Sequence, residues 1–481
     1  MIREPRIIQG GMGVAVSGWK LASSVSKLGQ LGVVSGTALD TVLLRRLQSG
    51  DSDGSIRRAL QAFGDPRIAK NIIRKYYLPL DELKPPRTFA HLNLPKAKLT
   101  REHLELLVLA SFVEVYLAKE SHHGLVGINF LEKIRYSTLP SLYGAMLAGV
   151  DYVLMGAGIP RYVPAILDLL ANHLDVQIQL DVLGASAGDH FTSDFSPSEF
   201  SELTVLQKLK RPKFLPIVSS SVLAATLLRK SEGEVNGFIV ETSLAGGHNA
   251  PPRGKLELSE LGEPVYGVRD AVDLSAMRDL KVPFWLAGSY GSRDGLKKAQ
   301  EVGASGIQVG TAFALAEESG LDASLKQQLI DKALKGTLKI FTDPRASPTE
   351  FPFKVAELEG SLSDERVYQE RPRVCNLGYL RQIYKREDGN LGYRCPSEPI
   401  DAYLKKGGKV EETHGRKCLC NALLANIGLA QSAKDYLEKP LVTLGNDTRQ
   451  IASFLKPNKV SYSARDVIES ILSLDHALPI T

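Results

Sequence analysis

Residues 237–253 read GFIVETSLAGGHNAPPR, and this stretch decides the fold. It opens as a short apolar, β-branched run, Gly237 to Glu241, of the length of a buried parallel strand, and breaks at once into small residues. His248 follows the pair Gly246 and Gly247, where the backbone can turn sharply and approach a ligand closely. In an α/β barrel, a polar residue just past the C-terminal end of a strand occupies the face where ligands bind. A histidine satisfied in an ordinary loop is the alternative; the glycine pair, Asn249 and the stiffening Pro251-Pro252 weigh against it.

The same theme recurs in both directions along the chain. Arg6 to Gln9 is a short strand ending in Gly10-Gly11-Met12-Gly13, and a helical period follows through Trp19, Leu21, Ala22 and Val25. Gly32 to Ser35 is a second strand opening into Gly36-Thr37. A third covers Leu125 to Asn129, preceded by a candidate edge strand at Phe112 to Leu117, and a fourth covers Tyr152 to Met155. Val176 to Val182 is also extended, but the polar stretch GASAGDHFTSDFSPS behind it marks an excursion from the sheet. Lys213 to Val218, Gly237 to Glu241, Pro283 to Ala287 and Gly306 to Val309 supply strands five to eight. Eight strands alternating with helices predict an α/β protein, a (β/α)8 TIM barrel over residues 1–340. A doubly wound sheet stays open, because periodicity does not reveal closure.

Two stretches depart from the alternation. From Asp40 to about Ser111 the periods are helical and rich in Arg, Leu and Lys, broken by Pro79 and Pro85-Pro86; this is read as an insertion partly covering the barrel face. Residues 341–481 form a connecting segment and a C-terminal region, and FTDPRASPTEFPFK at its start is expected to fold back toward the barrel mouth.

Composition narrows the function. With 43% hydrophobic and 23% charged residues among 481, the chain is an ordinary soluble globular protein of two or three domains' length. The net charge of +5 is dispersed, so neither nucleic acid nor a membrane surface is an expected partner. No run of eighteen apolar residues occurs, and the N-terminal residues run straight into a strand-like segment; a cytoplasmic location is expected. The four cysteines, Cys375, Cys395, Cys418 and Cys420, all lie late, which excludes a cysteine nucleophile from the first 374 residues. Their clustering invites a Zn or iron–sulfur site, but the spacing lacks a C-x2-C pair, and reduced core cysteines are the stronger reading.

Ala287-Gly288-Ser289-Tyr290-Gly291 follows strand seven, and Gln308-Val309-Gly310-Thr311 closes strand eight. Loops at these two places frequently bind phosphate in a barrel, because bare glycine backbone lets an anion reach the amide N–H groups. Tight turns are the competing reading. Gly10 to Gly13 would set backbone and a polarizable Met12 against a ring system, while Asn129 and Ser219, at the ends of strands three and five, either bond a heterocycle or cap the next helix.

The runs IIQGGMG, AGGH, AGSYG and QVGTAFALAEES resemble the nitronate monooxygenase family, and AGGHNAPPRG with RPRVCNLGYL, GYRCPSEP and GRKCLCNALLANIG is similar to a longer subgroup of it. The resemblance implies an FMN-dependent barrel. It puts the flavin ring near Gly11, Met12 and Gly13, with Asn129 and Ser219 along its polar edge and Gly247 and Gln308 beside it. It puts the phosphate on Gly288, Gly291, Gly310 and Thr311, and makes His248 the catalytic histidine. The implied reaction is oxidation of alkyl nitronates by O2 to carbonyl compounds and nitrite. His248 would bind the anion, or act as a base with a pKa near working pH. An NAD(P)H-dependent enoyl-thioester reductase working with an acyl-carrier protein is the alternative enzyme, and a flavin-binding assembly protein the alternative from another class.

Overall fold

The computed structural model describes residues 4–82, 89–90, 92–200, 207–433 and 436–472. Eight parallel strands form its main sheet: β1 (Ile7–Gln9), β2 (Gly32–Ser35), β3 (Val126–Leu131), β4 (Tyr152–Gly156), β5 (Lys213–Val218), β6 (Phe238–Glu241), β7 (Phe284–Ala287) and β8 (Gly306–Val309). From β2 to β8 each strand pairs with the next in sequence, and β8 pairs in parallel with β1. Closure comes from the parallel bridge between Ile8 and Leu31, with Gln9 N donating to Leu31 O at 2.9 Å. The sheet is therefore a closed barrel, and the doubly wound alternative falls.

Period-two alternation explains why these short runs are so apolar. Ile8, Val33, Leu154, Leu215, Ile239 and Trp285 point inward and make the barrel's filled interior. Their neighbours Ile7, Val34, Val153, Phe214 and Val240 point outward into a second core beneath the helices. Both faces of every strand are buried, so each reads as a continuous hydrophobic run.

The expected edge strand at Phe112 to Leu117 is wrong. Those residues lie inside a helix, α5 (Arg101–Lys119), whose N-cap Thr100 accepts a hydrogen bond from His103 N at 3.3 Å. The helix packs against α1 (Trp19–Lys27), α2 (Leu39–Gln48) and α6 (Arg135–Leu147), and is buried on nearly every side from Leu106 to Ala118. A helix enclosed all round shows no 3.6-residue stripe, and its β-branched and aromatic residues then mimic a strand. Besides α2, the expected helical insertion contains α3 (Ser55–Gln61) and α4 (Pro66–Tyr76), stacked outside α5. Pro85 and Pro86 lie outside the described residues.

The excursion after β4 is a small antiparallel pair, Val176–Gln179 with Thr192–Phe195, away from the barrel. At its turn, Val182–Leu183 adds a strand to a hairpin of the C-terminal region, Gln382–Lys385 with Leu391–Arg394.

Residues 340–472 run back over the barrel. A hairpin, Ile340–Asp343 with Phe353–Ala356, stands against the β6 loop, where His248 bridges Phe353. Segment 341–354 does fold back to the mouth, as expected. The final described helix, α8 (Ala464–Leu472), packs between α1 and α7 (Arg293–Glu301), the ring position that follows β8 in a barrel. Tyr462 anchors it by donating to Ala312 O at 2.9 Å. A buried ion pair, Arg371 with Glu438 at 2.6 Å, ties the intervening segments together.

Candidate functional site

Beyond the C-terminal ends of the strands, the mouth holds three adjoining cavities that share walls. The first is lined on one side by Gly11, Met12, Gly13 and Asn129, and on the other by Gly288, Gly291, Gln308, Gly310 and Thr311, with Gly247 at its edge. Every residue expected at a flavin except Ser219 therefore meets at one cavity.

Its shape depends on missing side chains. A Cβ on Gly11 would stand 2.4 Å from the Cβ of Asn129, so the β1 loop lies directly on that asparagine. Gly288 has φ +93°, and a Cβ there would fall 2.2 Å from Thr242 Oγ1. The walls also carry unmet polar groups. Asn129 Nδ2 donates to Gly11 O at 3.2 Å, which fixes the amide and leaves its buried Oδ1 without a donor; Gln308 Oε1 is buried and unpaired in the same way. Two orphaned acceptors on residues that line one cavity suit a ring that carries N–H or polarised C–H groups.

The C-terminal region supplies the remaining wall, which sequence reasoning missed. Thr443, Gly445, Asp447, Gln450 and Phe454 all line the first cavity. Gly247 N donates to Thr443 Oγ1 at 2.7 Å, and Gly445 N to Thr311 Oγ1 at 2.8 Å, stitching this segment to the loops of β6 and β8. Burial raises the Asp447 carboxyl above its ordinary value.

His248 stands at the junction of the second and third cavities. Its Nε2 lies 2.7 Å from Ser347 Oγ, and Phe353 packs edge-on at 4.9 Å between ring centroids. Ser347 is itself fixed by Thr349 Oγ1 at 2.8 Å. Burial drives the imidazole down to about 4, so it is neutral at physiological pH; the expected pKa near working pH is corrected by this enclosure.

The second cavity is mostly apolar, with Val14, Phe130, Leu131, Phe353, Leu419 and Leu423 on its walls. Tyr379 also lines it, its hydroxyl donating to Asp40 Oδ1 at 2.5 Å, and Asp40 Oδ2 meets His103 Nε2 at 3.1 Å. Burial, with the Asp40 carboxylate second, holds the Tyr379 phenol well above its usual value.

Ser219 lies in the third cavity with Arg253, Tyr266 and Asp270, not along the first. Its carbonyl accepts from Arg253 Nη2 at 3.1 Å.

In the sequence Glu241 marks only the end of strand six. It follows Ile239 by two residues and so points inward at the top of the barrel, where it lines all three cavities. No described residue donates to its carboxyl, and burial pushes it up to about 8.

Among the described residues, no group of three or more His, Cys, Asp or Glu side chains is arranged to hold a metal ion. The four cysteines are free thiols; Cys375 shares a hydrogen bond with Cys395, and Cys420 lines the second cavity.

With this geometry in place, residues 198–345 match the family model described as nitronate monooxygenase. This segment, under a third of the chain, is similar to that family. The matched segment carries β5 to β8, the His248 loop and both glycine loops. The nitronate monooxygenase of Pseudomonas aeruginosa is 38% identical over 105 residues, 22% of this chain and 25% of that protein. The probable nitronate monooxygenase of Bacillus subtilis is 30% identical over 141 residues, 29% of this chain and 37% of its own length. That of Staphylococcus haemolyticus is 27% identical over 165 residues, 33% and 44% of the two chains. The chain thus spans less than half the length of these curated relatives. Among solved structures, FabK from Thermotoga maritima aligns at 15% identity with a TM-score of 0.46, covering 98% of this chain and 92% of that one. The nitroalkane oxidase of Streptomyces ansochromogenes aligns at 16% with a TM-score of 0.44, covering 98% and 96%. Among the described residues, no helix is long and apolar enough to cross a membrane.

Proposed function

We propose that this protein is an FMN-dependent oxidoreductase that oxidises alkyl nitronates with O2, two nitronate ions and one O2 giving two carbonyl molecules and two nitrite ions. One observation carries the reading: a glycine-walled cavity with the orphaned acceptors of Asn129 and Gln308 adjoins the cavities into which His248 opens. Asn129 and Gln308 would face the polar edge of the ring, with Gly11, Met12, Gly13 and Gly247 against it. Gly288, Gly291, Gly310 and Thr311 would hold the phosphate. The bound cofactor would supply the redox chemistry, taking an electron from an electron-rich anion.

The chain's own residues do the rest. A nitronate already carries its negative charge, so no proton need be removed before oxidation. A neutral His248 cannot hold that anion by charge; it orients it by hydrogen bonding, or takes the carbon proton when a neutral nitroalkane enters. Ser347 keeps the ring turned toward the cavities. The Thr443 to Phe454 segment shuts water from the cofactor cavity.

An absorbance spectrum of the purified protein, followed by aerobic addition of propionate 3-nitronate without NAD(P)H, tests this reading. A flavin spectrum and oxygen uptake are expected. A colourless protein that refuses FMN overturns it.

One observation favours a second reading. The apolar second cavity offers more hydrocarbon surface than a short nitronate needs, and Arg253 faces the third. An enoyl thioester delivered by an acyl-carrier protein would place its chain in the former and its anionic carrier end toward the latter. NAD(P)H-dependent loss of an enoyl thioester, without oxygen uptake on nitronate, would select it.

A further inference from the structure

Glu241 and Ile217 each line all three cavities, Glu241 is the one of the two with a polar side chain, and the reading above gives it no role. Strand alternation forces it inward, and its pairing with Ala287 of β7 sets it beside the first cavity's wall. With no described donor or cation bonded to it and burial raising it, this carboxyl favours the neutral acid near neutral pH, and that form carries a hydrogen to donate. A substrate crossing this junction with a charged oxygen meets few other donors, since His248 Nε2 is already engaged by Ser347.

We propose that Glu241 is a catalytic residue that donates a hydrogen bond to an anionic oxygen of the bound substrate. This rests on the reading of the substrate as an oxyanion such as a nitronate. An ionised carboxylate at the same point would repel that anion, so binding and protonation of Glu241 are linked: anion binding requires the proton, and the bound anion retains it.

The surroundings leave Glu241 as the group that governs this linkage. Tyr290 and Asp447 face it from the first cavity. Tyr379 and Cys420 face it across the second. His248, Arg253, Tyr266 and Asp270 stand around the third. His248 is already neutral above about 4, burial pushes Tyr266 up to about 12, and burial raises the Tyr290, Tyr379 and Cys420 groups above their ordinary values. None of these moves the Glu241 carboxyl, for which burial is the sole cause of the shift.

The test is equilibrium binding of propionate, a planar anion of nitronate-like shape, to the flavin-loaded protein, read by the flavin absorbance change across pH. Wild-type affinity should fall about tenfold per pH unit above about 8. In Glu241→Gln, which keeps an N–H donor but does not titrate, affinity should stay within about threefold of wild type at pH 7 and lose that slope. Glu241→Leu, with no donor, should bind about tenfold or more weakly at pH 7. A slope that persists in Glu241→Gln, unchanged affinity in Glu241→Leu, or no propionate binding to wild type at pH 7 overturns the assignment. A Glu241-dependent slope in a protein that takes up no oxygen with a nitronate leaves the assignment standing and removes the nitronate reading. Oxygen uptake with a slope indifferent to Glu241 does the reverse.

Discussion

The two walls of the mouth are built by different means. The wall formed by the loops of β1, β7 and β8 is almost bare backbone, placed by strands within a few residues of each glycine. The facing wall, from Ser347 to Phe454, is made of side chains delivered from far along the chain: Ser347 to His248, Thr443 to Gly247, Phe454 to the first cavity. The first can be assembled by local turns alone. The second exists only when the C-terminal region is folded onto the barrel, so chemistry and tertiary packing are coupled there.

The largest effect should come from the packing of that second wall. Arg371 and Glu438 have side chains only 4% exposed each, so Glu438→Gln strands a buried guanidinium. It should cost about 3–5 kcal/mol in urea unfolding, within a single transition that also releases flavin. A separate C-terminal transition that leaves flavin bound would break the coupling just described.

His248→Ala should lower nitronate turnover at least about a hundredfold while flavin stays bound, because the histidine lines the second and third cavities and not the first. Unchanged turnover would remove its role.

Acid should weaken the fold through the same residue. Its pKa falls from 6.5 in the unfolded chain to about 4 in the folded one, so the unfolded state binds the extra proton between those values. Stability is therefore lost as pH drops from about 6.5 to about 4, by up to about 3 kcal/mol from this group. Denaturant melts of wild type and His248→Gln should converge toward pH 4; parallel curves would show that the imidazole is not enclosed.

Ser347→Ala is the mildest change and sharpens the comparison most. Loss of one hydrogen bond to the ring should reduce turnover about five- to tenfold, with flavin affinity untouched. No loss would mean that the C-terminal wall merely covers the histidine.

What could be read from the chain follows the same division. Strands buried on both faces announce themselves as apolar runs, and β2, β5 and β8 have the bounds expected of them. Gly11, Asn129, Gly288 and Gly310 were legible because each sits at a strand end, where the barrel converts position in sequence into position in space. Ser219 obeyed the same rule and still faces another cavity. Enclosure concealed α5, whose uniform burial erased the helical period. Thr443, Gly445 and Ser347 had no signal of their own, since each is defined by a partner 99 to 196 residues away. Glu241 did leave a trace. An acid two residues after inward-pointing Ile239, ending an otherwise apolar strand, is costly to bury without a purpose.

Helix α8 closes the ring of the barrel, so the mouth-covering segments are held at both ends, by β8 before them and by α8 after them. They cannot be clipped away or exchanged as an appended module could, because removing them also takes a stave from the barrel. Variation in what this protein accepts is therefore most easily accommodated inside the loop, by point changes along the apolar chamber at positions such as Leu419 and Leu423, with the framework around it kept whole.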